Sequence, residues 1–115
     1  MKKYNWSKYR IAQWSYKVFP NLTMESQLKK LEEELQEAEK EYGVNLSRWR
    51  QEMADVSIVA CILEERLNSR VGEAINQYIA KLPEYHLIMS ARDEKMEINQ
   101  VRIWGYEDGI YRHKE

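Results

Sequence analysis

Two pairs of acidic residues recur at the same spacing in this chain. Glu34 and Glu37 lie three residues apart in the run Leu31-Glu32-Glu33-Glu34-Leu35-Gln36-Glu37-Ala38. On a helix that spacing puts both carboxylates on one face, beside the apolar stripe of Leu28, Leu31, Leu35, Ala38 and Tyr42. The second pair, Glu52 and Asp55, leads directly into the apolar run from Val56 to Leu63. A carboxylate at the edge of a buried segment is costly unless it is paired or ligated. If the two helices pack antiparallel across their short linker, four carboxylates converge and repel one another unless a cation intervenes. Mg²⁺ suits such a set, because it takes hard oxygen ligands and leaves positions for water or phosphate oxygens. The competing reading is a solvated Glu-rich surface, and Glu32, Glu39 and Glu41 are assigned to it.

The elements that must position these groups follow from the apolar periodicity and the sparse punctuation. With four glycines and two prolines in 115 residues, a few helices are favoured over many strands and turns. A first helix is expected from about Tyr4 to Phe19, ended by Pro20. A second is capped by Thr23 and stopped at Gly43, and a third runs from a Ser47 cap to about Asn68. A fourth covers Val71 to Leu82, and a fifth runs from Tyr85 or Ala91 to Ile103. The tail, residues 104–115, holds two glycines among aromatic residues and is expected to form a turn or short hairpin. The expected fold is a single all-α domain of four to five helices.

The third helix is apolar around nearly its whole circumference, so it must be buried on all sides. That predicts packing against a second copy, in a homodimer or homotetramer. Cys61, the lone cysteine, reads as a small buried hydrophobe in a reducing compartment. A formal charge of −1 gives no global field for nucleic acid or an anionic membrane, so neither is an expected partner. The N-terminal residues lack an uninterrupted apolar segment, and no stretch approaches the roughly 20 apolar residues of a membrane span, so a cytoplasmic protein is expected.

The segments Glu33-Glu34-Leu35-Gln36-Glu37 and Glu52-Met53-Ala54-Asp55 resemble the EExxE and ExxD signature of the MazG-like all-α nucleoside triphosphate pyrophosphohydrolases. The stretch Lys95-Met-Glu-Ile-Asn99-Gln-Val-Arg102-Ile-Trp104 is similar to the KxxxNxxRxW segment of many members. Ala12-Gln-Trp14-Ser-Tyr-Lys-Val-Phe19-Pro20 is similar to the first helix of short, often phage-type, versions. Gln36 and Ala38 depart from the Gly and Leu of many relatives.

The resemblance implies a MazG-like bundle that cleaves a (d)NTP to the monophosphate and pyrophosphate. Glu34, Glu37, Glu52 and Asp55 would hold Mg²⁺, with Mn²⁺ as a substitute, and Glu33 would support or replace one of them. Glu33 or Glu37 would take the proton of the attacking water. Lys95 and Arg102 would hold the triphosphate, and Asn99 shares their helical face and can bond a sugar hydroxyl or phosphate oxygen. Of the four Trp residues, Trp14 is chosen to stack on the base, although a Trp at helical spacing is more often a core anchor. His86 and His113 have no partner at metal-ligand spacing and are given no role. Among rivals, a di-iron oxidase lacks its ExxH pairs. A catalytically silent helical interaction protein of the same fold would be expected to have lost some of these residues.

Overall fold

The computed structural model describes residues 4–114, which form five helices and a C-terminal hairpin. Helix α1 (Lys8–Val18) starts where the Ser7 hydroxyl accepts from the Arg10 amide, and it ends at Phe19, before Pro20. Helix α2 (Met24–Glu41) opens on a reciprocal cap between Thr23 and Ser26. It is followed by Gly43 at φ +76°, a left-handed turn that a side chain would strain.

Helix α3 (Leu46–Glu65) is capped by Asn45 rather than Ser47, the Asn45 carboxamide accepting from the Arg48 amide at 3.0 Å. Helix α4 (Arg70–Ala80) is capped by Ser69. Helix α5 (Tyr85–Val101) is continuous through Ala91, so the earlier of the two expected starts is the observed one. Strands β1 (Ile103–Glu107) and β2 (Ile110–Lys114) pair antiparallel, joined through Asp108 and Gly109, both at positive φ. That pairing is the two-residue hairpin turn that Asp-Gly favours.

The apolar girdle of α3 is met within one chain. Helices α1, α2, α4 and α5 all pack on it, and Val56 to Leu63 are buried without interruption. The expectation that a second copy must cover α3 is therefore corrected: a central helix is apolar all round because its own neighbours enclose it. Its two sides serve two clusters of core residues. One joins Leu31 and Ala38 of α2 to Val56, Val59 and Leu63 of α3, Ile79 of α4 and Ile88 of α5. The other joins Ile11 and Phe19 to Ile58, Cys61, Ile62 and Met96, with Trp14, Trp104 and Tyr111 packed against it. Cys61 is fully buried, as its apolar surroundings in the sequence predict.

Gly72, in the first turn of α4, lets that helix approach α3 closely. A Cβ added at Gly72 would stand 2.7 Å from the backbone oxygen of Ala60, the amide nitrogen of Glu64 and the Cβ of Leu63. No helix among the described residues is long and apolar enough to cross a membrane.

Candidate functional site

A cavity of about 280 Å³ opens where α1, α2, α3, α5 and the hairpin meet. Glu34 of α2 and Asp55 of α3 form its acidic end. They face each other because α2 and α3 pack antiparallel through the short Tyr42–Asn45 connection. Burial pushes the Glu34 carboxyl up to about 7, with the charges of Asp55 and Glu52 adding to the rise. Burial likewise raises Asp55, against the opposing pull of Lys95, Lys30 and Arg102. Glu52 is raised by burial, then by Asp55, with smaller contributions from Glu37 and Glu41.

The acidic groups thus sense one another as a row running from the cavity, Glu34 and Asp55, outward to Glu52 and Glu37. Glu37 does not line the cavity; its carboxylate lies 3.5 Å from Lys40 on the surface of α2. Among the described residues no three acidic, His or Cys side chains stand together as a formed metal cage. The donor chemistry nevertheless fits Mg²⁺: hard oxygens from two facing helices, whose mutual repulsion a divalent cation would relieve.

Glu33 is placed differently from its neighbour. Successive helical positions lie about 100° apart around the axis, and Glu33 points to the hairpin while Glu34 points to the cavity. Its two carboxylate oxygens accept from the two terminal nitrogens of Arg112 at 3.0 and 2.8 Å. The Arg112 fork holds the Glu33 carboxyl below its ordinary value.

Cations share the cavity with Glu34 and Asp55. Lys95 and Arg102 line the cavity, joined by Lys30, one turn before Glu34 on α2. Lys95 donates to Asp55 at 3.0 Å, and Arg102 donates to the Asn99 carbonyl oxygen of the side chain at 3.2 Å. Asn99 is itself 7% exposed, and its backbone oxygen accepts from the Trp104 indole. Gln27, at 4% exposure, also reaches the cavity, its amide nitrogen directed to the Val59 backbone oxygen at 3.4 Å.

Trp14, Phe19 and Trp104 meet edge to face with centroids 5.1 to 5.9 Å apart, making the aromatic end. Tyr111 extends it at 4.7 Å from Phe19, and His113 meets Trp104 at 5.8 Å. The structure therefore brings together Trp14, Glu34, Asp55, Lys95, Asn99 and Arg102 around one cavity. It leaves Glu33, Glu37 and Glu52 outside the lining. Trp6 and Trp49 are buried anchors.

Sequence reasoning missed Lys30 and Gln27, though both carry a signal, lying four and seven residues before Glu34 on the same helical face. His113, given no role from the sequence, lines the cavity. Its position depends on the hairpin folding back over α1, which no local pattern announces. His86 is held at the surface by Tyr4. No protein-family model, curated protein or solved structure matches the chain.

Proposed function

We propose that the chain is a Mg²⁺-dependent nucleoside triphosphate pyrophosphohydrolase, releasing a nucleoside monophosphate and pyrophosphate. The observation that carries this reading is that one cavity is lined together by two carboxylates, Glu34 and Asp55, three cations, Lys30, Lys95 and Arg102, and an aromatic group of Trp14, Phe19 and Trp104. A nucleoside triphosphate calls for the same three kinds of partner, since it joins a metal-binding, anionic polyphosphate to a planar base. Glu34 and Asp55 in the cavity, with Glu52 and Glu37 further out, would hold Mg²⁺ (or Mn²⁺), which would supply charge neutralisation and polarise phosphoryl oxygens.

The chain's own side chains do the rest. Lys95 and Arg102 hold phosphate oxygens, Arg102 being steadied by Asn99. Lys30, unassigned from the sequence, adds a third positive charge on the same side. Trp14 offers a ring to the base, in a niche that Phe19 and Trp104 keep apolar. Of the two carboxylates the resemblance offers for the water's proton, Glu33 is tied to Arg112, which leaves Glu37, outside the cavity lining beside Lys40, as the one to take it. Assembly as a homodimer or homotetramer loses its argument from α3; the exposed Leu28 and Leu35 of α2 are the surface on which it would rest.

The test is incubation of purified protein with ribo- and deoxyribonucleoside triphosphates and Mg²⁺, scoring pyrophosphate and monophosphate. Turnover of at least one nucleotide is expected, with kcat falling by about 100-fold or more in Asp55→Asn. No turnover of any nucleotide, or full turnover in that variant, overturns the assignment.

A further inference from the structure

The hairpin contributes Trp104, Ile110, Tyr111 and His113 to the cavity, yet two strands alone are at best marginally stable in water. Something must hold them to the helices. The strongest polar tie is the fork of Arg112 on both oxygens of Glu33, linking β2 to α2. Single bonds add to it: the Asn21 amide donates to the Tyr111 hydroxyl at 3.0 Å, and the Trp104 indole donates to the Asn99 backbone. Arg112 and Tyr111 are adjacent and so lie on opposite faces of β2, one clamping α2 while the other lines the cavity. Glu33 and Glu34 divide in the same way on α2.

We propose that the Arg112–Glu33 pair is a latch that fixes the hairpin as the base-side wall of the cavity, making both residues positioning residues for the nucleoside half of the substrate. This rests on the reading of the cavity as a nucleotide site. Neither residue touches the substrate. Their effect passes through Tyr111, His113 and Trp104, so it falls on substrate capture rather than on the reacting phosphates.

The experiment uses the full chain with Glu33→Gln, Arg112→Met and the exchanged pair Glu33→Arg with Arg112→Glu. Hydrogen exchange of the hairpin amides is measured first, without ligand, and KM and kcat follow with the best nucleotide and Mg²⁺. Each single variant is expected to speed hairpin exchange by about five-fold, leaving the amides of α3 unchanged. In Arg112→Met, KM rises by about five-fold with kcat within two-fold, and the exchanged pair recovers part of the exchange and KM effects. Unchanged hairpin exchange in the single variants overturns the latch. Faster exchange with unchanged KM overturns the positioning role. If the wild-type protein turns over no nucleotide, the nucleotide reading and the substrate role fall together. Hairpin exchange then still decides whether the fork holds the hairpin.

Discussion

Lys95 donates to Asp55 at 3.0 Å, spanning α5 to α3 at the acidic end of the cavity. The ammonium thus neutralises the carboxylate that the proposed Mg²⁺ would otherwise claim. Lysine and the proposed metal would compete for Asp55, and a bound triphosphate would give Lys95 a second anion.

Removing that competitor should separate metal binding from substrate binding. In Lys95→Gln, titration with Mg²⁺ alone is expected to show several-fold tighter binding, because one positive charge near the site has gone. KM for the nucleotide should rise by about ten-fold or more, as a charge-assisted phosphate contact is lost. Weaker Mg²⁺ binding in this variant would show that Lys95 supports the metal site instead of opposing it.

The raised Glu34 carboxyl makes the metal-free protein sensitive to pH. Below 4.5 the group is protonated whether the chain is folded or not. As pH rises toward about 7 the unfolded chain loses the proton first, so the metal-free fold progressively loses stability. The full shift corresponds to at most ~3 kcal/mol. Glu34→Gln removes this penalty. In chelator, its melting temperature is expected to exceed that of the wild type by several degrees at pH 8 and to match it near pH 4.5. Added Mg²⁺ should raise the wild type and leave the variant nearly unmoved. An equal difference between the two proteins at every pH would contradict the coupling.

Gly72 offers a test of the packing that positions α3. The Cβ of Gly72→Ala would press on the backbone of Ala60 and Glu64, which cannot swing aside as a side chain would. Displacement of α4 should cost about 1–3 kcal/mol, exceeding the gain of up to ~1 kcal/mol from better helix propensity. A lower denaturant midpoint with an unchanged slope is the expected result, and a midpoint at or above the wild-type value would contradict the close approach.

How far the sequence carried differs by residue. Thr23 and Pro20 marked helix ends correctly because their signals are local. Ser47, expected to cap α3, lies inside it instead: Asn45 is the cap, and the helix starts two residues earlier than expected. The two acidic pairs were found by spacing, and Glu34 and Asp55 do meet at the cavity. The partner of Glu33 was not readable, since Arg112 is 79 residues away. Nor was the fate of Arg92, a polar residue that pattern alone would leave on the surface. Its guanidinium is buried instead, donating to the Ser57 hydroxyl, the Cys61 sulfur and the Trp6 backbone, while its Nε has no partner among the described residues. Such contacts depend on which helix faces which.

Because α1, α2, α4 and α5 all lean on α3, none has a comparable alternative neighbour among the other helices. The chain is consequently a hub with spokes and not a stack of separable halves. Loss of α3 order would remove the support of every other helix at once, so unfolding should be a single cooperative event with the slowest amide exchange in Val56–Leu63. Fragments lacking that segment would have no nucleus to condense on. The hairpin, which reaches α3 through side chains such as Trp104 and Tyr111, is the part expected to open while the rest stays folded.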